Sequence, residues 1–269
     1  MWLARYFVIF IFYSLLGWIF ETVYCTLKEK KWCDRGFLYG PIVPIYGAGG
    51  LGITAVMDGL QQFVGIRPNA LQVFLIAYLG SIVLEFGTSY VLEKLFHAVW
   101  WDYSDMPFNI QGRICLPASI GFGLAGLLIV YGIYPFVNRI FPARISIFNE
   151  LLAMFLVFLI ACDCALTVSA LTGLAKNIMM MEDNINRQMS TFVEGIREKG
   201  VDIEAHMEAN REKLSREYAE HVVGQMNVMQ QKALQRVKAF RPSRPELAHS
   251  DRVKHVFEAI RRRRDGYKR

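Results

Sequence analysis

Three acidic residues stand inside long apolar segments of the chain, where ionisable side chains are rare. These residues are Glu21, Glu85 and Asp163. A charged side chain near the centre of a membrane helix costs about 2.5–3.5 kcal/mol on insertion scales. Such residues usually face the interior of a helix bundle or a water-filled cavity. Their positions therefore indicate either a polar route through the bundle or a buried ion pair that gates it.

The competing interpretation of these acids is structural, because two arginines follow them in the intervening loops. Glu21 would pair with Arg35 and Glu85 with Arg113, and each pair would fix a loop to its helix. The sequence favours the structural interpretation for Glu21, which lies near the end of its apolar segment. For Glu85 and Asp163, both interpretations stay open.

Glycine and proline residues predict irregular backbone at one edge of the membrane. Gly36 and Gly40 permit positive φ, while Pro41 and Pro44 prevent a regular helix start. Irregular backbone at membrane depth survives only where protein or water satisfies its polar groups. These loops are therefore either the mouth of a polar route or simple turns. The predicted cytoplasmic mouth comprises Gly36, Gly40, Pro41, Pro44, Gly47, Trp101, Asp102, Tyr103, Gly112 and Pro117.

The chain carries no sequence motif of a known catalytic or nucleotide-binding site. No phosphate-binding loop, zinc-protease helix, nucleophile elbow or dinucleotide fingerprint is present. We therefore expect no enzyme activity, no cofactor and no metal site. If the protein acts with ATP, a separate ATPase chain must hydrolyse it.

Charge and hydrophobic residues are segregated along the 269 residues, of which 54% are hydrophobic. Residues 1–175 carry ten basic and ten acidic side chains, whereas residues 176–269 carry twenty and fourteen, so the whole net charge of +6 lies in the tail. This pattern excludes an ordinary soluble enzyme, a disordered chain and a small disulfide scaffold. It predicts a transmembrane domain over residues 1–175 and a water-facing basic tail over residues 176–269.

Five stretches approach the length of about 20 apolar residues that a spanning helix needs. The predicted fold is thus an all-α membrane protein of about five transmembrane helices with a cytoplasmic helical tail. The predicted spans are Leu3 to Tyr24, Pro41 to Val64, Ala70 to Leu92, Ile114 to Val137 and Ile147 to Gly173.

The distribution of lysine and arginine predicts the orientation of these spans. The loop after the first span holds Lys28, Lys30, Lys31 and Arg35, and the tail adds twenty more basic residues. Few basic residues lie on the other side. We therefore expect a multi-pass protein of the cell membrane with its N-terminus outside and its tail in the cytoplasm.

An internal repeat organises the membrane domain. Gly36, Pro41, Gly47 and Gly50 stand at offsets 0, 5, 11 and 14, and four residues of the same types follow at the same offsets 76 residues later, beginning at Gly112. Upstream, the segment ending in Glu21 parallels the one ending in Glu85. Because both copies enter from the same side, the pattern predicts two parallel helical hairpins related by an axis along the membrane normal. Chance matching of glycines is the alternative.

The tail predicts one long amphipathic helix that ends before two prolines. Apolar residues recur at steps of three, four and seven, as in a coiled coil, which would allow a homo-oligomer. The run Arg261, Arg262, Arg263 and Arg264 suits an anionic lipid surface, at about 1 kcal/mol per charge, although a solvated basic end explains it nearly as well. Nucleic-acid binding is disfavoured, because no aromatic platform accompanies the run.

Several ordered motifs in residues 1–175 resemble one known family. They are residues 14–25 (SLLGWIFETVYC), 35–41 (RGFLYGP), 44–47 (PIYG), 84–86 (LEF), 101–104 (WDYS) and 112–116 (GRICL). In these motifs the chain resembles the bacterial multi-pass membrane proteins named putative ABC transporter permeases, type IV. The resemblance implies a plasma-membrane protein that acts as a permease component, and it supplies no substrate. The competing hypothesis is a non-transporting scaffold or regulator that acts through its tail.

Overall fold

The computed structural model describes residues 2–30, 32–141, 147–197, 213, 217, 220, 221, 223, 224 and 226–240. The regular secondary structure of the described part is helical apart from a ladder of two short strands. In chain order the elements are α1 (Trp2–Glu29), α2 (Pro44–Gly59), the π-helix π1 (Leu60–Val64), α3 (Ala70–Phe96), β1 (Ala98–Val99), α4 (Leu116–Leu128), π2 (Ile129–Ile133), α5 (Tyr134–Ile140), α6 (Ile147–Arg197), α7 (Val228–Arg236) and β2 (Ala239–Phe240).

In the described part of the chain, four helical segments are long and apolar enough to cross a membrane. The fifth predicted stretch, Pro41 to Val64, is also largely helical, since α2 continues into π1, but it is not one of these four. The physical reason is its composition, because α2 contains five glycines and carries Asp58 near its end. The four spans are Leu3–Glu29, Ala70–Phe96, Leu116–Ile140 and Ile147–Gly173.

These four helices expose much of their apolar surface. Val83 is 72% exposed and Phe155 is 58% exposed, and similar residues follow along each of the four segments. A soluble protein rarely leaves so continuous an apolar surface uncovered. The chain is therefore an integral membrane protein whose helices face lipid.

The chain divides into two compact units. The first comprises Met1–Leu95 and Val99–Thr167, and the second comprises Phe96–Ala98 and Val168–Arg269. In the first unit, α1 and α2 approach so closely that side chains are excluded at their contact. A Cβ atom at Gly47 would overlap Ser14 and Phe10, and one at Gly50 would overlap Tyr13. Small residues at such a contact let two membrane helices pack backbone to backbone.

Helices α3 and α4 repeat this arrangement in the same unit. A Cβ at Gly123 would overlap the ring of Phe74, and one at Gly126 would overlap Ala77. Like α2, α4 has a proline in its first turn and continues directly into a five-residue π-helix. The loop before each helix contains a glycine with positive φ, +122° at Gly36 and +67° at Gly112. Only glycine adopts such angles without strain.

Two buried apolar clusters form the core of the first unit. One centres on Ile9, Tyr13 and Val137, and the other on Ile53, Met57 and Val73. In the first, α1 packs against α2 and against π2, which follows α4. In the second, α3 packs against the end of α4 and against α2. Both α1 and α3 therefore pack against α2 and against the π-helix that follows α4.

The second unit contains the end of α6, helix α7, strand β2 and residue Ala98 of β1. Helix α7 begins with a capping box in which Asn227 and Gln230 exchange side-chain-to-backbone hydrogen bonds. This part of the structure gives no support for the predicted coiled coil, and the middle of its apolar stripe, residues 203–222, lies largely outside the described residues. The basic run Arg261 to Arg264 also lies outside them.

Candidate functional site

Glu85 is a buried carboxyl group in the middle of α3, with 4% of its surface exposed. The hydroxyl of Tyr103 donates a hydrogen bond of 3.2 Å to its Oε1. Its Oε2 is buried and has no hydrogen-bond partner among the described residues. An unsatisfied buried carboxylate oxygen is costly, which marks it as a candidate point of interaction with a ligand or a proton.

The loop between α3 and α4 (residues 97–115) brings Tyr103 to this carboxyl group. The backbone N–H of Tyr103 donates to the carbonyl of Gly112 at 2.8 Å, which closes the loop on itself. Burial raises the pKa of Tyr103, and the nearby Glu85 carboxylate raises it further. The phenol therefore stays protonated at neutral pH and remains a hydrogen-bond donor to Glu85.

Arg113 fastens the same loop to α3 one and two turns further along. Its guanidinium pairs with Glu93 at 2.7 Å and donates to the hydroxyl of Ser89 at 3.1 Å. It also lies over the rings of Phe86 and Tyr90. The structure thus places Arg113 with Glu93 rather than with Glu85, which leaves Glu85 without this counter-charge.

Trp101 and Asp102 organise the loop itself. The indole N–H of Trp101 donates to the carbonyl of Arg113 at 2.9 Å. The carboxylate of Asp102 accepts from the backbone N–H of Ser104 at 3.0 Å. Its Oδ1 also lies so close to Gly112 that a Cβ there would come within 2.5 Å. These predicted mouth residues therefore shape the loop that carries Tyr103.

Glu21 lies toward the same end of the bundle, on α1. Its carboxylate interacts electrostatically with Arg35 and with Glu85. Burial lowers the pKa of Arg35, but Cys25, Glu21 and Glu29 outweigh that effect and raise it, so the guanidinium stays cationic. Arg35 also forms a 3.6 Å ion pair with Glu29. Glu21 and Glu85 therefore differ in their electrostatic surroundings, because only Glu21 interacts with an arginine.

Asp163 on α6 binds the loop between α1 and α2 (residues 32–43). Its Oδ1 accepts from the backbone N–H of Tyr39 at 2.8 Å, and its Oδ2 from that of Gly40 at 2.7 Å. Thr167 donates to Oδ1 from one turn further along α6. A Cβ at Gly40 would come 2.9 Å from Oδ2, so the close approach requires glycine. Asp163 is thus brought together with the loop rather than with Glu85.

The other predicted mouth residues serve the starts of the two short helices. Pro44 is the first residue of α2, where its missing N–H costs nothing, and Pro41 precedes it in the loop. Pro117 occupies the corresponding first turn of α4. Gly47 lies in the contact of α2 with α1 described above.

Several residues that lie between α2 and the helices that begin with α4 were not predicted from the sequence to belong to the site. The rings of Tyr46 and Phe122 contact each other, with centroids 6.0 Å apart. Tyr46 also interacts electrostatically with both Glu21 and Glu85. At the far end of α2, the hydroxyl of Tyr134 donates a hydrogen bond to Asp58. The two residues of each pair are 76 positions apart, which is the repeat length. The repeat was therefore the sequence signal from which these contacts could have been predicted.

A second polar group surrounds the Asp58–Tyr134 pair. The hydroxyl of Tyr13 is buried without a hydrogen-bond partner among the described residues, and it interacts electrostatically with both members of the pair. Arg5 closes this end by donating from Nε to the carbonyl of Phe141 at 2.8 Å. The first unit therefore has one polar group around Glu85 and another around Asp58. Within the described ranges, no three His, Cys, Asp or Glu side chains come together as a metal site would require.

A family model described as "Putative ABC-transporter type IV" matches residues 8–168, and the chain belongs to this family. The match covers all four membrane-spanning segments except the ends of the first and last, and it stops before the tail. No curated protein and no solved structure matches the chain. The family name describes a membrane component of a transporter, and it agrees with the family that the sequence motifs resemble.

Proposed function

We propose that the chain is a permease-like integral membrane subunit of a transport system in the plasma membrane. The observation that carries the proposal is Glu85, a carboxyl group that is 4% exposed, keeps one oxygen unpaired and lies within a bundle whose helices face lipid. Buried ionisable groups in membrane helices are costly, and they are by default candidates for a substrate or ion pathway. Glu21 and Tyr46 extend the polar site around it.

The packing supports two parallel hairpins, α1 with α2 and α3 with α4, as repeats about a pseudo-two-fold axis. Equivalent residues of α1 and α3 differ by 64 in residue number, and those of α2 and α4 differ by 76. The contact of Gly47 with Phe10 therefore corresponds to that of Gly123 with Phe74. In the same way, the contact of Gly50 with Tyr13 corresponds to that of Gly126 with Ala77. Contacts that repeat residue for residue disfavour chance matching of glycines.

The position of the axis is inferred from residues that contact the equivalent residue of the other hairpin. Tyr46 contacts Phe122 and Asp58 accepts from Tyr134, and in both pairs the partners occupy equivalent positions. The two contacts lie 12 residues apart along α2, or about 18 Å at 1.5 Å per residue. The axis therefore runs between α2 and α4 and parallel to both. Parallel repeats about an axis along the membrane normal are a common plan in transporters, with the site at the repeat interface.

The two glutamates occupy equivalent positions near one end of this axis. By the distribution of basic residues, this end faces the cytoplasm, with the N-terminus outside and the tail from residue 176 inside; in this orientation the continuous helix of α2 and π1 crosses the bilayer together with the four candidate spans. The loops that carry Arg35 and Tyr103 then form the cytoplasmic mouth. Asp163 and Arg113 hold these loops in place.

In this proposal the energy source and the partners lie outside the chain. The sequence has no nucleotide-binding motif, so an ATP-driven system would need a separate ATPase subunit. Residues 176–269, which lie beyond the family match, would dock that partner or a second copy, and their basic end would contact anionic lipid.

Uptake profiling of intact cells tests the proposal across many candidate solutes at once. Cells that lack the chain are complemented with wild type, with Glu85→Gln or with the vector, and small molecules inside and outside are quantified by mass spectrometry. We expect at least one solute to distribute differently with wild type, and Glu85→Gln to match the vector despite equal membrane insertion. Wild-type profiles from Glu85→Gln cells would overturn the proposal.

A non-transporting scaffold is the second candidate function. The specific observation in its favour is that Asp163 and Arg113 make bracing contacts to loops, as structural residues do. A scaffold predicts that deletion of residues 176–269 abolishes function, while Glu85→Gln lowers only the yield of folded protein. The permease proposal predicts the reverse order of severity.

A further inference from the structure

The polar site at the end of the axis carries an excess of one negative charge. Glu21 and Glu85 contribute two carboxylates, and each lies within electrostatic range of the other. Arg35 lies near Glu21 and contributes one positive charge. Its ion-pair partner Glu29 is 38% exposed, so solvent screens that carboxylate and it is not counted in the buried site. Arg113 is engaged with Glu93 instead. One positive charge is therefore missing from the site when both carboxylates are ionised.

The side chains around the two carboxylates provide oxygen atoms as candidate ligands for a cation. Oε2 of Glu85 is buried without a hydrogen-bond partner in the described part of the chain. The hydroxyl of Tyr103 donates to Oε1 of the same carboxylate, which leaves its own lone pairs available. Tyr46 interacts electrostatically with Glu21, Glu85 and Tyr103, so its hydroxyl belongs to the same group. Carboxylate and hydroxyl oxygens are the ligands that hard cations prefer.

We propose that Glu85 and Glu21, with the hydroxyls of Tyr46 and Tyr103, bind one monovalent alkali cation, for which sodium is the probe. This inference rests on the proposed function and deepens it, because the cation would be the coupling ion of the same site. A single positive charge balances the site, whereas a divalent ion would leave it over-charged.

The unpaired oxygen gives the site its second, independent support. Two neighbouring acids alone would be explained by Arg35 and by protonation. Oε2 of Glu85, however, is cut off from water and from every described donor, in a residue with only 4% of its surface exposed. A bound cation supplies the partner that this oxygen lacks while Tyr103 keeps its hydrogen bond to Oε1.

Sodium-dependent stabilisation of the purified full-length protein tests the inference directly. Thermal unfolding in detergent is followed while sodium chloride replaces N-methylglucamine chloride at constant ionic strength. A ligand that binds only the folded state raises the melting temperature in a saturable manner. We expect such a rise for wild type and an apparent sodium affinity lower by roughly tenfold or more in Glu85→Gln, because a charged ligand group is lost. Glu21→Gln should weaken binding in the same direction.

Glu150→Gln is the matched control, because Oε1 of Glu150 on α6 is also buried without a hydrogen-bond partner in the described part of the chain. It should keep the wild-type response to sodium. If Glu85→Gln does not fold, Tyr103→Phe replaces it in the test. This variant keeps the Glu85 carboxylate and should show a weaker response to sodium than wild type. An unchanged melting temperature of wild type across lithium, sodium and potassium chloride would overturn the inference. An equal sodium response in wild type, Glu85→Gln and Glu21→Gln would also overturn it.

The outcome is separable from that of the proposed function. Saturable sodium binding by wild type that is lost in Glu85→Gln, together with unchanged uptake profiles, would keep the cation site and reject the permease. A solute transported through Glu85 without any alkali-cation response would keep the permease and reject the cation site, and would assign Glu85 to a proton or to the solute itself.

Discussion

The hydroxyl of Tyr134 donates a hydrogen bond to Asp58, and the two residues stand 76 positions apart, the length of the internal repeat. The rings of Tyr46 and Phe122 meet with the same separation in sequence. Residues that contact their own equivalents lie on the axis that relates two repeats. In the proposed arrangement of two parallel hairpins, these two pairs mark the axis, and they lie at opposite ends of α2.

Cross-linking tests the arrangement of the hairpins. In a variant without the five native cysteines, we expect the pairs Tyr46→Cys with Phe122→Cys and Asp58→Cys with Tyr134→Cys to join efficiently. The contacts of both pairs bring their backbones near enough for a short bifunctional reagent. Mobility on a denaturing gel after cleavage between the hairpins measures the yield. The control pair Tyr46→Cys with Tyr134→Cys joins opposite ends, about 18 Å apart along the helices. Efficient joining of this control would contradict a parallel arrangement.

Glycine substitution tests the close helix contact. Gly47→Ala should lower the free energy of unfolding by about 1–3 kcal/mol, because the added methyl group overlaps Ser14 and Phe10. Gly52→Ala on the same helix meets no atom within 4 Å and should be neutral or slightly stabilising, since alanine favours a helix by up to about 1 kcal/mol. Denaturant titration in detergent, followed by circular dichroism, compares the two. Equal effects from both substitutions would be inconsistent with this packing.

Replacement of Arg113 tests the attachment of the α3–α4 loop. Arg113→Ala leaves the Glu93 carboxylate and the Ser89 hydroxyl without the guanidinium that pairs with them. Because the arginine side chain is only 9% exposed, we expect a loss of about 3 kcal/mol in unfolding free energy. Thermal melting of the purified protein measures it. Arg113→Lys should recover part of the stability through the ion pair with Glu93, and a full recovery would argue against the contact with Ser89.

Asp163→Asn should loosen the α1–α2 loop without changing membrane insertion. One of the two oxygens that accept from Tyr39 and Gly40 becomes an amide nitrogen, which cannot accept. We expect a loss of about 1–3 kcal/mol and faster hydrogen exchange at these two amides. Exchange mass spectrometry of peptides that cover residues 32–43 reports the change. Cys162→Ser, at the preceding and exposed position, is the control and should leave exchange as in wild type.

The phenol of Tyr103 predicts a specific alkaline response. Its pKa in the folded protein lies above the ordinary value because of burial and the Glu85 carboxylate. A raised folded pKa contributes stability below the ordinary value, and this contribution is lost as pH rises above about 10. Wild type should therefore lose more stability than Tyr103→Phe between neutral and strongly alkaline pH. Melting temperatures of both proteins across this range measure the difference, and parallel curves would contradict the prediction.

The periodic and compositional features of the fold were predictable from the sequence. The apolar runs predicted four of the spans because lipid-facing helices need little beyond hydrophobicity and length. The same reasoning assigned a fifth span to α2, where packing against α1 and α3, rather than apolar content, accounts for the helix. Residues such as Glu85 were predictable because a buried acid is costly wherever it stands.

The partners of the polar residues were much less predictable. Both Glu93 and Glu85 lie on α3 within reach of the following loop, and only three-dimensional geometry assigns Arg113 to Glu93. The sequence does not indicate that the backbone N–H groups of Tyr39 and Gly40 donate to Asp163, because the backbone N–H groups of all residues have the same chemistry. Such choices depend on loop conformation, which composition does not determine.

The on-axis contacts also have an evolutionary consequence. In a symmetric homodimer of a single hairpin, an on-axis residue must face an identical copy of itself, so Asp58 would face another aspartate and the two charges would repel. Joining two hairpins in one polypeptide frees each position to diverge. Tyrosine at 134 then becomes a donor to Asp58, and an arginine can remain near only one of the two glutamates. Gene duplication followed by fusion thus permits an asymmetric site that an assembly of identical hairpins cannot form.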